Sequence, residues 1–258
     1  MLKVYANADS FQTLNALPLV SRNSFIIINN AVQDDDFIYW LTLNPVTCAK
    51  INKTEMATPR WTNASVPTLL SIEDTITAAL LDEGSESIFL QGPATTYRIS
   101  TIDLTGIETL PGEELNSLTG FMTYSNGVST ANFVGYATSQ AIAQIRIVDP
   151  IETSLFDTPF KNMVASAYSQ KNDIAILATY MSKYGVYKWN AKELLQTFCI
   201  VDLISHFVAY DDVNDILYTC GDYLIPNSGY YPVLMRFELS NIQNGSTISL
   251  SLSVSSFN

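Results

Sequence analysis

Val164-Ala165-Ser166-Ala167-Tyr168 and Ile174-Ala175-Ile176-Leu177, two short apolar segments with a polar turn between them, decide the fold of this chain. Such a pair of segments is typical of an antiparallel β-hairpin. The pattern occurs four more times along the sequence. Its other copies are Leu17–Val20 with Phe25–Ile28, Ala78–Leu81 with Ile88–Leu90, Gly120–Tyr124 with Ala131–Val134, and His206–Tyr210 with Ile216–Tyr218.

The spacing of these hairpins is regular. Their second segments begin at residues 25, 88, 131, 174 and 216, so successive starts lie 63, 43, 43 and 42 residues apart. A period of about 43 residues indicates a repeat architecture in which each repeat is one supersecondary unit. The first interval is about 20 residues too long for that period. We assign the surplus to a loop inserted at about residues 52–73, where Pro59 and Pro67 interrupt any strand alternation.

Each repeat continues with a third strand that ends at a turn residue, and then with a fourth strand. The third-strand segments are Trp40–Pro45, Tyr97–Asp103, Ile145–Pro150, Val186–Asn190 and Met235–Ser240. Four short strands per repeat at this period are the pattern of a β-propeller blade. The sequence therefore predicts one all-β domain over residues 1–258, a β-propeller of five four-stranded blades. A six-bladed ring and a two-sheet sandwich are the alternatives.

Two segments at the chain ends also show strand character. Lys3-Val4-Tyr5-Ala6 is interpreted as a strand that pairs with the last blade and closes the ring, which would remove exposed sheet edges. Residues 246–253 alternate polar and apolar side chains and are predicted as a strand with one polar face.

Two second-strand openings, Asn172-Asp173-Ile174-Ala175 and Asp215-Ile216-Leu217-Tyr218, carry a likeness to known repeats. Through these residues, and through the period from about Asn15 to Val254, the chain resembles the degenerate repeats of the YVTN, NHL and WD40-like propeller families. The Gly-His and Trp-Asp pairs of WD40 blades do not occur in it. Such families imply a binding scaffold more often than any one reaction.

The balance of charge restricts the classes of partner. The chain has 13 Lys and Arg against 25 Asp and Glu, a net charge of −12, and the basic residues are scattered. An acidic surface repels the phosphates of nucleic acids and of anionic membranes, so we expect neither as a partner. No apolar run is long enough to predict membrane insertion. Met1–Asn7 lacks the apolar core of a secretory signal, and the compartment stays open.

No group of residues has the spacing of a catalytic, metal or cofactor site, so we predict no catalytic residue, no metal and no cofactor. Cys48, Cys199 and Cys220 are interpreted as small apolar residues, with a disulfide as the alternative. The single histidine, His206, lies on a predicted innermost strand and is interpreted as a core histidine. The acidic runs Asp34–Asp36 and Asp211–Asp215 are interpreted as hairpin turns rather than calcium loops.

Five residues are the candidates for a binding surface. Arg60 and Trp61 lie in the predicted inserted loop, and Arg and Trp often anchor interfaces. Tyr124, Tyr168 and Tyr210 end three consecutive first strands, which predicts that they ring one mouth of the axial channel. The alternative for the tyrosines is packing.

The leading hypothesis is a non-enzymatic propeller that mediates protein–protein or surface interactions, as a structural component of a larger extracellular or virion assembly. One alternative is a carbohydrate-active enzyme, for which Glu73, Asp74 and Asp202 are the best-placed acids. Another is a lectin with one equivalent polar residue in each blade. The candidates for that position are Asn44, Asp103, Asp149 and Asn190.

Overall fold

A computed structural model of the chain describes residues 28–43, 46–53, 68–93, 95–111, 117–135 and 141–249. Five small sheets, each built on consecutive antiparallel strands, stand in a ring, so the molecule is a five-bladed β-propeller, as predicted. Each blade begins with its innermost strand and continues outward. Blade one has β1 (Ile28–Gln33), β2 (Phe37–Leu43), β3 (Val46–Asn52) and β4 (Thr68–Leu69). Blade two has β5 (Ala78–Asp82), β6 (Ser87–Gln91), β7 (Thr95–Ser100) and β8 (Glu108–Pro111), and blade three has β9 (Ser117–Ser125), β10 (Val128–Gly135), β11 (Ala141–Arg146) and β12 (Glu152–Asp157). Blade four has β13 (Met163–Ser169), β14 (Ile174–Thr179), β15 (Lys183–Lys188) and β16 (Glu193–Ile200), and blade five has β17 (Leu203–Asp211), β18 (Ile216–Ile225) and β19 (Gly229–Glu238).

One hydrogen bond recurs in every blade and confirms that the repeats are equivalent. The carbonyl of the residue directly before the second strand, or in blade three of the second residue of that strand, accepts the backbone N–H that follows the third strand, at 2.8–2.9 Å. The pairs, written acceptor then donor, are Asp36 and Lys53, Glu86 and Thr101, Ser129 and Ile147, Asp173 and Trp189, and Asp215 and Leu239. This bond fixes the end of the third strand against the first hairpin of its own blade.

Four of the five innermost strands share a β-bulge. In β1, β9, β13 and β17 one extra residue interrupts the pairing with the second strand at the same level. The extra residues are Asn29, Leu118, Val164 and His206. A bulge bends its strand and increases the local twist, and here it recurs where the inner strands converge around the axis.

The first predicted repeat is displaced in the structure. The innermost strand of blade one is Ile28–Gln33, and Trp40 lies in its second strand rather than in a third strand. The hairpin turn is the acidic segment Asp34–Asp36, where the Asp34 carboxylate accepts the N–H groups of Asp36 and Phe37. The prediction took the apolar run that ends at Ile28 as the second strand of this blade, whereas Ile28 begins the innermost strand. The predicted strands of blade one therefore lie one strand too close to the N-terminus. Leu17–Val20 and Lys3–Ala6 lie outside the described residues.

The register of the second strands differs from the prediction in blades four and five. The cross-strand pairs make Ala131 equivalent to Ala175 and Leu217, so the predicted column with Ile174 and Ile216 is one residue out in blades four and five. Of the predicted insertion, Asn52 ends β3 and Thr68–Leu69 form β4. Residues 54–67 lie outside the described part of the chain, so the inserted loop stays a prediction.

Apolar cores lie between neighbouring blades over the described residues. Blades one and two bury Tyr39 and Leu90, and blades three and four bury Phe121 and Trp189, whose rings meet edge-on at 4.9 Å. Blades four and five form the largest described core, in which the ring of Tyr184 stacks on Phe198 at 4.6 Å. Burying each such side chain stabilises the ring by about 1.5–3 kcal/mol, so the blades depend on one another.

The chain leaves blade five after its third strand. A short 3-10 turn, Leu239–Asn241, leads to β20 (Ser246–Ile248), which pairs in parallel with β16 of blade four. Part of the predicted C-terminal strand is therefore confirmed, and it belongs to the neighbouring blade.

Candidate functional site

The innermost strands enclose an axial cavity of about 480 Å³. All five blades contribute to its wall, as a ring of sheets around one axis requires. Most of the lining side chains are apolar, and the polar ones are few. The lining residues are Val32, Gln33, Ala79, Leu80, Leu81, Thr119, Gly120, Met122, Val164, Ala165, Ser166, His206 and Phe207.

Two polar pairs lie at this wall. The hydroxyls of Thr119 and Ser166 join blades three and four at 3.0 Å. His206 Nε2 lies 2.9 Å from the Asp222 carboxylate. The interpretation of His206 as a core histidine is wrong, because the bulge at this residue turns it out of the blade and leaves its side chain half exposed. Among the described residues that line the cavity, His206 is the one titratable group.

Phe207 begins a row of side chains that crosses blade five from the cavity to its outer strand. Phe207 pairs with Cys220, and Cys220 pairs with Leu234, so the three side chains lie on the same side of the sheet. We name these three residues the blade-five row. Phe207 is 56 % exposed and Leu234 is 66 % exposed. Tyr230, on the same side of β19, is 59 % exposed.

The other side of blade five explains why the row is exposed. Val208, Leu217 and Met235 alternate with the row along their strands and are buried in the core shared with blade four. The side that carries the blade-five row faces away from blade four, and therefore toward blade one in the ring. Neither Phe207 nor Leu234 belongs to any apolar core of the described residues.

The three tyrosines predicted at the axial mouth bind aspartates instead. The Tyr210 hydroxyl donates to Asp215 at 2.8 Å, and the Tyr168 hydroxyl donates to Asp173 at 3.3 Å. Burial, and then the neighbouring aspartate, raises the pKa of each of these two phenols to about 12. None of the three tyrosines is among the residues that line the cavity. A binding role for them stays a prediction.

Tyr124 belongs to a contact between blades. Its hydroxyl donates to the buried carboxylate of Asp82 at 2.9 Å, and burial raises the pKa of this phenol above its usual value. Asp82 also accepts hydrogen bonds from the hydroxyls of Ser85 and Ser129. The backbone of Tyr124 bonds in turn to the side chain of Gln170 in blade four. These contacts link the hairpins of blades two, three and four.

The acids proposed for a hydrolase do not meet at the cavity. Glu73 is exposed, Asp74 accepts the Tyr97 hydroxyl at 2.5 Å, and Asp202 lies in the turn before β17. The residues proposed for an equivalent lectin position do not all occupy the same place in their blades, because Asn190 stands one residue earlier in its turn than Asp103 and Asp149 do. Asn44, Arg60 and Trp61 lie outside the described residues.

Other predicted features can be placed over the described part of the chain. Cys48 is buried, Cys199 and Cys220 are half buried, and all three are free. Burial raises the pKa of the Cys48 thiol to about 12. Within the described ranges, no cluster of His, Cys, Asp and Glu could hold a metal ion, and no helix has the length and apolar character to cross a membrane.

Sequence reasoning missed the blade-five row. Phe207 and Val208 in β17, and Leu234 and Met235 in β19, are apolar on both faces, as strands between two blades usually are. That pattern predicts burial on both sides. Exposure of one side depends on what packs against it, which no local signal reveals.

No family model matches the sequence, and no curated protein matches it. Among solved structures 1140 chains match the fold. A chain of the crystal structure of a nidogen/laminin complex superimposes with a TM-score of 0.58 at 10 % identity, over 87 % of this chain and 84 % of the other. Hydrazine synthase of Kuenenia stuttgartiensis superimposes with a TM-score of 0.61 at 8 % identity, over 79 % of this chain and 60 % of the other.

These likenesses place the chain in the class of β-propellers. At 8–10 % identity they show the fold alone. The particular repeat family within that class stays a prediction from the sequence.

Proposed function

We propose that this protein is a non-enzymatic β-propeller scaffold that binds a protein partner through the blade-five row. The exposed row carries the proposal, because large apolar side chains that stay uncovered on a rigid sheet are a common mark of an interaction surface. Phe207 and Leu234 are 56 % and 66 % exposed and lie two strands apart on one face.

The chemistry of the row suits a partner that contributes an apolar surface. Fully burying a Phe or Leu side chain is worth about 1.5–3 kcal/mol, so two such residues supply the centre of a protein interface. Tyr230 adds an aromatic ring with a polar tip, the kind of residue that is enriched in interfaces. His206 and Asp222 lie beside the row and provide a polar border.

We also propose that the protein acts as a component of a larger assembly. A propeller chain in a nidogen/laminin complex offers an example of this fold in a protein–protein assembly. The few basic residues, 13 in all, suit a structural component of an extracellular or virion assembly.

The test replaces the apolar row and leaves the sheet intact. Phe207→Ser with Leu234→Ser removes the two exposed side chains. The matched control is Ile102→Ser with Val213→Ser, two exposed apolar residues in turns, 68 % and 75 % exposed. A partner identified by affinity capture with the wild-type chain is purified, and its Kd is measured for all three forms by calorimetry.

We expect the row variant to weaken binding by at least about tenfold, which corresponds to about 1.4 kcal/mol. The control variant keeps the wild-type Kd. Equal affinities of the three forms for every purified partner would refute the proposal, as would a loss of affinity in the control alone.

A further inference from the structure

A pocket of about 300 Å³ lies at one end of blade four, where the connection from blade three meets the turn between β14 and β15. Residues 159–162 of the connection line it, together with Thr179, Met181 and Lys183. This volume is at the lower end of the range for ligand sites, so the pocket suits a small molecule. It shares no residue with the axial cavity or with the blade-five row.

Hydrogen bonds fix the two segments that form this pocket. The Tyr180 N–H donates to the Asn162 carbonyl at 2.9 Å, which joins the turn to the connection. The Lys183 N–H donates to the Thr179 hydroxyl oxygen at 3.0 Å, which holds the start of β15 against the end of β14. The pocket wall is therefore formed before a ligand arrives, and preorganisation of this kind lowers the cost of binding.

Phe160 forms the main apolar part of the wall. Its ring is buried and lies against Gly185 of β15, where a Cβ would overlap the ring. A glycine inside a strand often marks the close approach of another group, and here it makes room for the aromatic ring. Met181, which is 70 % exposed, and Pro159 add further apolar surface.

Two lysines give the pocket its charge. Lys161 and Lys183 are both exposed, and the Lys183 ammonium lies 5.3 Å from the centre of the Phe160 ring. Neither lysine forms an ion pair with a carboxylate of the described residues. The chain has 25 Asp and Glu against 13 Lys and Arg, so two such lysines at one pocket are a local excess of positive charge. Salt screens charges that lie beyond about 8–10 Å, so the lysines dominate the field inside the pocket.

Two further polar groups at the wall can donate hydrogen bonds. The Thr179 hydroxyl accepts the Lys183 N–H, and its own proton has no acceptor among the described residues. The side-chain amide of Asn162 also makes no hydrogen bond within the described ranges. Hydroxyl, amide and ammonium groups are donors for the oxygens of an anion, and the bonds from ammonium groups are the stronger ones.

We propose that this pocket binds a small organic anion with an apolar body, such as an aromatic acid. Its charged group meets Lys161 and Lys183, and its apolar body covers Phe160 and Met181. An inorganic anion would leave this apolar surface in water, and a neutral ligand would not use the two ammonium groups. The site goes beyond the proposed function, because it lies outside the blade-five row.

Nuclear magnetic resonance of the full chain with isotope-labelled methionine methyl groups tests the site, with phenylacetate as the probe. Met181 reports on the pocket, Met122 reports on the axial cavity, and Met235 in the core of blades four and five reports on the fold. We expect phenylacetate to shift the Met181 signal until saturation and to leave the other two signals in place. Phenylacetamide, which lacks the charge, and acetate, which lacks the ring, should each bind at least about tenfold more weakly.

Charge-removing variants locate the interaction. Lys161→Gln with Lys183→Gln should weaken phenylacetate binding by at least about tenfold. The matched control is Lys171→Gln with Lys188→Gln, which removes the same charge from the opposite end of blade four. We expect this control to keep the wild-type Kd.

Four outcomes overturn the proposal. They are a Met181 signal that does not respond to phenylacetate, a response confined to Met122, equal affinity for phenylacetate and either of its two analogues, and equal weakening in the two double variants, which would assign the effect to net charge. If the Met235 signal shows that a variant is unfolded, the comparison of phenylacetate with its analogues on the wild-type chain decides.

Discussion

At the scale of single residues, aspartates at the hairpin turns of blades four and five hold these two blades closed. Asp215 adopts a φ of 57°, a left-handed conformation that Asp tolerates better than most residues. One carboxylate oxygen accepts the Tyr210 hydroxyl and the other accepts the Ser240 N–H at 2.9 Å. Asp173 does the same with Tyr168 and the Asn190 N–H in blade four. Each aspartate therefore joins the first strand of its blade to the end of the third.

Replacing Asp215 tests this role. Asp215→Ala should lower the free energy of unfolding by about 2 kcal/mol, because it removes two hydrogen bonds and leaves the half-buried Tyr210 hydroxyl without its acceptor. Asp35→Ala, which removes an exposed carboxylate in another hairpin turn, should change it by less than about 0.5 kcal/mol. Urea unfolding followed by circular dichroism measures both. Equal effects of the two substitutions would contradict the role assigned to Asp215.

At the scale of elements, the bulge in β17 depends on a glycine in its neighbour. Gly221 of β18 pairs with Ser205, directly beside the bulged residue His206. A Cβ at Gly221 would overlap the carbonyl of Ile204. Gly120 in β9 is similar, because a Cβ there would overlap the carbonyl of Asn132. Close approach of two backbones, rather than a turn, explains these glycines.

The variant Gly221→Ala should therefore destabilise blade five. Moving β17 away from the new methyl group costs about 1–3 kcal/mol. Gly84→Ala is the control, because its Cβ would lie 3.5 Å from the Asp82 carboxylate, an ordinary contact. We expect that control to stay within about 1 kcal/mol of the wild type. If Gly221→Ala unfolded at the same urea concentration as the wild type, the two strands could separate without loss of stability, and the expectation would be contradicted.

The boundaries of the elements show which parts of the fold can be predicted from the sequence. Repeats two to five were predictable because a polar turn separates apolar segments in each. The register of Ala131 was missed because β9 and β10 are joined by the two-residue turn Asn126-Gly127, whereas the turn before Ile174 has four residues. Counting from the first apolar residue cannot distinguish these turns. The blade-five row was missed because its exposure is set by packing between blades.

At the scale of the whole molecule, buried phenols couple the fold to alkaline pH. The pKa is raised to about 12 in five tyrosines, with burial as the largest cause in each: Tyr39, Tyr97, Tyr168, Tyr187 and Tyr210. In the unfolded chain a tyrosine ionises near a pKa of about 10. The neutral phenols therefore stabilise the folded state fully below pH 10, and this stabilisation is lost as the pH rises toward 12.

We expect the free energy of unfolding to be steady up to about pH 9 and to fall steeply between pH 10 and 12. Urea titrations across this range measure it, and phenolate absorbance of the folded protein follows ionisation. Tyr210→Phe should make the decline shallower. Phenols that ionise near pH 10 in the folded protein, with no loss of stability, would contradict the expectation.

The bulges of the innermost strands have a consequence for how this propeller can change. A bulged residue has no partner opposite it in the second strand, so its identity is decoupled from the ladder that holds the blade together. Four such positions carry Asn29, Leu118, Val164 and His206, which are an amide, two aliphatic residues and an imidazole at one level of the ring. Substitutions at Val164 and His206 alter the wall of the axial cavity while the hairpins keep their register. The cavity can therefore change the molecules it accommodates without any change in the pairing of the blades.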